Sequence, residues 1–215
     1  MSVTEIKRLI RDPYAIYAKH VLRLRKLGPL VQSPDALMRG NLAHDVMETF
    51  IKDTLRDPNL LNTDHLHAVA SNILQQQVPW SAVRTIWLSR IDRVAHWFVE
   101  HEIARRKIAR PVAFEDKAQG RLIWPDIGFT LNARADRIDQ TEHGDVLVYD
   151  YKTGTPPTKK QQASFDKQLL IEAAMIEEGA FATLGPAHVA NAVFIGLGPN
   201  PVKSDDAGRQ VRGRL

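Results

Sequence analysis

The chain has 215 residues, 29 Lys and Arg against 25 Asp and Glu, a formal net charge of +4 and 44% hydrophobic residues. That length suits one fair-sized domain or a compact pair burying roughly 70% of its unfolded surface, and the ordinary charge, Gly and Pro content excludes a disordered chain or a fibrous repeat. The lack of any Cys removes disulfides, thiolate zinc sites, iron–sulfur ligation and cysteine nucleophiles, so a metal here must be held by His, carboxylates, carbonyls and water. No window reaches the ~20 apolar residues of a membrane helix and the N-terminus lacks the apolar core of a signal peptide; the chain reads as soluble and intracellular, with no membrane partner. A pI of about 9.4 is compatible with a polyanion but is weak support for one.

The first half reads as helices. Ser2-Val3-Thr4-Glu5 has capping-box spacing and opens a short helix ending at Asp12-Pro13, where Asp12 can cap and Pro13 can begin a second. Gly28-Pro29 breaks the pattern. Ser33-Pro34 restarts it as a helix to about Asp57 with an apolar stripe of Leu42, Val46, Phe50 and Ile51. Thr63 opens a helix through Ala70 and Leu74. After Pro79 a long helix to about Ala109 carries Trp87, Ile91, Val94 and Phe98, spaced for packing rather than for base stacking. From Pro111 the character changes: residues 112–124 and 127–138 read as two strands joined at Pro125-Asp126, and Val146-Leu147-Val148-Tyr149 is a buried strand. Thr158 to Glu178 returns to helix, Val189 to Leu197 is another buried strand, and from Gly198 the chain turns polar.

Chemistry concentrates in Arg134-Ala135-Asp136-Arg137-Ile138-Asp139 and, 14 residues after Asp136, in Asp150-Tyr151-Lys152-Thr153-Gly154. Strand alternation sets Asp150 and Lys152 on one face. A turn centred on His143 places Asp136 opposite Asp150, give or take about one residue. Two opposed carboxylates repel unless something positive lies between them, and a hard divalent cation with oxygen ligands is the natural answer. Lys152 could then hold an attacking water or stabilise charge growing on a phosphate.

These residues resemble the PD-(D/E)XK nucleases, and within them the RecB-like branch: Asp at one strand end, Asp-x-Lys on the next, then Gly. The branch also has a helical His four residues after a Gly, matched by Gly40 and His44, where the missing side chain at Gly40 would clear space above the imidazole. It has Gln-Leu on the helix after the Lys strand, matched by Gln168-Leu169, although Glu172 stands where the branch has an aromatic. Gln161, Phe165, Gln168 and Glu172 form one helical stripe. The opening segment, through Arg11-Asp12-Pro13-Tyr14, is similar to the nuclease domain of the AddB family, in its cluster-free form. Those proteins are several times longer, which leaves an excised fragment and a short stand-alone relative both open.

The resemblance implies a mixed α+β, restriction-endonuclease-like fold: a mixed sheet flanked by helices, with residues 1–110 a helical segment contributing His44, 111–197 the nuclease core and 198–215 a polar tail. It implies a Mg²⁺- or Mn²⁺-dependent deoxyribonuclease, an exonuclease in double-strand-break repair, with an AddA-like helicase-nuclease partner and a cytoplasmic, nucleoid-associated place in a bacterium. His44, Asp136, Asp150 and the Tyr151 carbonyl would bind the metal. Asp136, Asp150, Lys152 and Gln168 would carry catalysis. A non-catalytic DNA-binding or scaffolding module is the alternative. Arg39, Arg134, Lys159, Lys160 and Arg137 could touch phosphates, though charged solvated faces are common. Glu115 reads as a solvated strand side chain, Glu172 as no more than a supporting group. His65 and His67, about 200° apart on a helix, make no shared metal site.

Overall fold

A computed structural model describes residues 1–25, 27–28, 33–115 and 118–198; apart from Gly198, the expected polar tail lies outside them. Two helices open the chain, α1 (Val3–Arg11) and α2 (Pro13–His20). The Glu5 carboxylate accepts from the Ser2 N–H at 2.9 Å and also takes Lys19 and His20 from α2, so one side chain caps the first helix and clips the second to it. Asp12 caps α2 through the Ala15 N–H, and Pro13 fills the first-turn position that needs no N–H.

Three longer helices follow: α3 (Ala36–Arg56), α4 (Thr63–Gln77) and α5 (Ser81–Arg106). Asp35, rather than Ser33, starts α3 by accepting from the Met38 N–H at 2.7 Å, and Asn62 does the same for α4 through His65. Val46, Met47, Phe50 and Ile51 on α3, Leu66 and Ala70 on α4 and Val94 and Phe98 on α5 are buried together with Tyr149, Tyr151 and Ile195. Each large apolar side chain in that layer is worth about 1.5–3 kcal/mol of burial. Among the described residues, no helix is long and apolar enough to cross a membrane.

The main sheet has the order β1-β4-β5-β6, from β1 (Ala109–Phe114), β4 (Arg137–Thr141), β5 (Val146–Lys152) and β6 (Val189–Gly196). The first three are antiparallel and β6 runs parallel to β5, joined by a crossover through α6 (Lys159–Ser164) and α7 (Gln168–Glu177). Helices α3 to α5 cover one face. The other is covered by α1, α7 and a separate hairpin, β2 (Gln119–Trp124) with β3 (Phe129–Arg134).

Three expected elements divide in the structure. The strands at 112–124 and 127–138 each split, β1 and β4 joining the main sheet while β2 and β3 pair with each other; a pairing partner decides a strand's sheet, and local sequence does not name the partner. The helix expected over 158–178 breaks at 165–167, where the Asp166 N–H turns back to the Gln161 carbonyl at 2.8 Å and its carboxylate meets Lys7 at 2.7 Å. Gln161 and Phe165 therefore do not continue the stripe of Gln168 and Glu172.

Candidate active site

Strand β5 is covered on both faces, and its side chains alternate between the two layers. Val146 and Val148 pack towards α7, Tyr149 and Tyr151 towards α3 and α5, and the parity carries Asp150 and Lys152 to the α7 side. The β4–β5 ladder pairs Arg137 with Tyr149 and Ile138 with Val148, so its continuation sets Asp136 opposite Asp150, as a turn centred on residue 143 requires.

Around that point five elements meet at one end of the sheet. His44 of α3 donates from Nε2 to the Tyr151 carbonyl at 2.8 Å, and its Nδ1 lies 3.3 Å from Asp136 and 3.5 Å from Glu115. Asp136, just before β4, accepts from the Tyr151 N–H at 2.7 Å. Gln168, at the start of α7, donates from Nε2 to Asp150 at 2.7 Å and to Glu172 at 3.2 Å, and its carbonyl accepts from Lys152 at 3.5 Å. The Lys152 ammonium is 2.7 Å from Asp150. Two carboxylate acceptors fix which end of the Gln168 amide faces them, and the carbonyl is thereby left for the lysine.

The electrostatics follow from crowded acids in a recess. Burial and the Asp136 charge push Asp150 up to about 6 against the opposing pull of Lys152 and His44. Burial alone would lower His44, yet the Asp136 hydrogen bond and charge, with Asp150 and the Tyr151 carbonyl, hold it up at about 9. Burial also raises Glu115, which Arg134 partly offsets from 3.4 Å. Glu172 is 1% exposed and raised well above the carboxylate range by burial and by Asp150, and its Oε2 has no hydrogen-bond partner among the described residues. Such a site calls for positive charge.

His44, Glu115 and Asp136 offer ligand atoms all within 4.8 Å of one another. An imidazole and two carboxylates at that spacing fit a hard divalent cation. Asp150 is not in that triad; Gln168 and Lys152 engage both its oxygens.

His44, Asp136, Asp150, Lys152, Gln168 and Arg134 line a single cleft of about 1080 Å³. Arg39 instead lines a small apolar cavity with Leu42, Met47 and Trp87, while Lys159 and Lys160 are exposed on α6 outside the cleft. A Cβ on Gly40 would meet only Thr153, at an ordinary 3.9 Å, so Gly40 does not clear space over His44.

Two readings of single residues are corrected. Glu115 is no solvated side chain: it is 16% exposed and sits against His44. Arg137 touches no phosphate: it is fully buried, donating to Asp139 twice at 2.6 Å and to Glu102 at 2.7 and 3.1 Å. This cluster, extended by Arg105 and Arg106 on Glu102, lies beneath the site and ties α5 to β4. Sequence reading also missed Arg121 and Asn132 of the hairpin, Ser2 at the cap of α1 and Thr4 in its first turn, which wall the cleft; an isolated backbone bridge from Ser2 to Asn132 brings those two walls together, and no local pattern announces it.

A mixed sheet flanked by helices, with Asp136, Asp150 and Lys152 gathered at its end, defines a restriction-endonuclease-like protein. The profile of the PD-(D/E)XK nuclease superfamily matches residues 1–212, and the chain belongs to that superfamily. Membership implies a nuclease that uses a divalent metal. Similar chains include an uncharacterized protein of Rickettsia conorii, 34% identical over 186 residues covering 84% of this chain and 22% of that protein. Another, from Rickettsia felis, is 31% identical over 222 residues covering 97% of this chain and 26% of its own length. A third, from Rickettsia typhi, is 33% identical over 186 residues, again 84% and 22%. The chain thus spans about a quarter of the length of the curated relatives it matches.

Proposed function

We propose that the chain is a Mg²⁺- or Mn²⁺-dependent deoxyribonuclease hydrolysing phosphodiesters at DNA ends or in single strands. The observation that carries this is the convergence of His44 from α3, Asp136 from just before β4, Asp150 and Lys152 from β5 and Gln168 from α7 in one recessed cleft. His44, Glu115 and Asp136 would hold the cation, with Asp150 and the Tyr151 carbonyl beside them. A bound divalent cation supplies Lewis-acid polarisation of the phosphate and lowers the pKa of an attacking water.

The side chains do the rest. Lys152 places a water in line with the phosphorus and opposes the charge that develops on the phosphate oxygens. Gln168 holds Asp150 and Lys152 in mutual register, and Arg134 stands on the rim where a phosphate enters. The helical segment 1–110 and the core 111–197 act as one composite unit, since His44 comes from the first and the carboxylates from the second. The biological setting we infer is double-strand-break repair as an AddB-type nuclease domain, beside an AddA-like helicase-nuclease in the bacterial cytoplasm.

Asp150→Ala and Lys152→Ala should each abolish Mg²⁺-dependent degradation of single-stranded DNA while leaving circular dichroism and melting unchanged in form. Full activity in either purified variant sinks the assignment. Calorimetric titration with Mn²⁺ separates the enzyme from a scaffolding module: no binding, or binding undiminished in Asp136→Ala, favours the scaffold.

A further inference from the structure

Glu172 lines the floor of the cleft from the buried side of α7, which it shares with Leu169, Met175 and Ile176. It is 1% exposed, and its Oε2 has no hydrogen-bond partner among the described residues. A polar atom buried unpaired weakens a fold, so the presence of this one calls for a reason other than stability.

The other oxygen supplies that reason. A helical side chain leans towards the N-terminus and covers the residue four positions before it, which sets Glu172 against Gln168. Its Oε1 accepts from Gln168 Nε2 at 3.2 Å, while the same nitrogen donates to Asp150 Oδ1 at 2.7 Å. An amide nitrogen carries two protons, and here both are taken. With Asp150 as its single acceptor the planar amide could pivot about one bond; two acceptors fix its tilt and so the direction of its carbonyl. That carbonyl accepts from Lys152 Nζ at 3.5 Å, and the ammonium is otherwise held by Asp150 at 2.7 Å and by the Phe194 ring, 5.5 Å from its centroid. The Gln168 contact is the longer of the two polar ones, and a pivot of the amide would break it first. The aromatic residue that the RecB-like branch carries at this place brings no carboxyl to the Gln168 amide.

We propose that Glu172 is a positioning residue of the cleavage site: its carboxyl locks the Gln168 amide, which in turn holds the Lys152 ammonium beside Asp150 in the attitude that cleavage needs. The proposal rests on the nuclease reading above and adds a residue to its machinery. Glu172 reaches the reacting groups only through Gln168. Burial and the Asp150 charge hold Glu172 well above the carboxylate range, so its acceptor is that of a neutral acid, which a side-chain amide can replace.

The test compares Glu172→Leu, which keeps the volume and removes the acceptor, with Glu172→Gln, which retains an acceptor oxygen. In Mg²⁺-dependent cleavage of single-stranded DNA, Glu172→Leu should lower kcat on the order of tenfold, the weight of one lost polar contact, with KM little changed. Its melting temperature should equal or exceed the parent's, because the unpaired oxygen leaves with the carboxyl. Glu172→Gln should keep kcat within about twofold of the parent. Added to Gln168→Ala, Glu172→Leu should lower kcat no further, since residues acting along one line are not additive. Apart from turnover, the two side-chain amide protons of Gln168, read in ¹H–¹⁵N spectra, should both be protected from exchange in the parent and in Glu172→Gln, and one of them should shift and lose protection in Glu172→Leu.

Parent-like kcat in Glu172→Leu, a joint loss of kcat and melting temperature, a further loss on top of Gln168→Ala, or unaltered Gln168 amide protons overturns the positioning role. An unsubstituted chain that cleaves no DNA removes the nuclease reading instead, and the amide protons then decide by themselves whether Glu172 fixes Gln168.

Discussion

Replacing Arg137 with Met tests whether the buried cluster beneath the site is held together by charge pairing. The guanidinium serves Asp139 through two 2.6 Å bonds and Glu102 through two more, with the Tyr151 hydroxyl at 3.4 Å and the Tyr149 ring 5.3 Å from its centre. Arg137→Met fills a similar volume but leaves two buried carboxylates without it. Glu102 keeps Arg105 and Arg106 at 3.1 and 2.8 Å; Asp139 loses both of its short bonds. Breaking a buried pair from one side costs about 3–5 kcal/mol, and in a chain of this size each kcal/mol lowers the melting temperature by about 2–4 °C, so the expected fall is roughly 6–20 °C. Burial already raises the Asp139 pKa although Arg137 opposes it, and without the guanidinium it rises further. Protonation then relieves the buried charge, so the deficit, read from urea unfolding by circular dichroism, should be largest near pH 8 and shrink towards pH 5. Adding Asp139→Leu should recover part of it. A variant within about 0.5 kcal/mol of the parent, or a deficit that grows on acidification, refutes the reasoning.

Three further outcomes are expected. A Cβ on Gly120 would lie 2.4 Å from the buried ring of Phe181, so Gly120→Ala should destabilise by about 1–3 kcal/mol in thermal unfolding, and Phe181→Leu should restore much of that loss. Burial alone would raise Glu102, but Arg137, Arg105 and Arg106 bring it from 4.5 down to about 2. A depressed carboxylate contributes stability above its unfolded pKa and loses it as pH falls through the folded one, so the deficit of Glu102→Gln should be complete at pH 6 and narrow between pH 4.5 and about 2 in acid titrations of the fold. Asp35→Ala removes the cap of the helix that carries His44 and should cost about 1 kcal/mol by the same unfolding assay, with a weakened Mn²⁺ titration if the start of α3 helps to place His44.

Much of the framework was legible because it is local. The capping box at Ser2 and Glu5, the Asp12-Pro13 junction and the apolar run of β5 are each determined within a few residues. The opposition of Asp136 and Asp150 followed from the symmetry of one turn, which the β4–β5 register shares. What was illegible depended on distant partners. Arg137 reads as a surface cation until Glu102, 35 residues away, is seen to bury it. Glu115 looks solvated until α3 brings His44 against it. Glu172, a departure from the aromatic of the RecB-like branch, gave no hint that α7 would seal its carboxyl against the floor of the cleft. The split strands and the break before Gln168 likewise reflect sheet pairing and the Lys7–Asp166 contact, not propensity.

One peptide unit links these parts. The N–H of Tyr151 is given to Asp136 and its carbonyl receives His44, while its ring lies in the apolar layer under α3 and α5. A cation held by His44 Nδ1 and Asp136 Oδ1 leaves Nε2 and Oδ2 on that peptide, so its charge is felt at both ends together. The Tyr151 amide resonance, and the stretching frequency of its labelled carbonyl, should therefore move in step as the cleft fills, which makes the backbone a spectroscopic gauge of occupancy that needs neither substrate nor turnover.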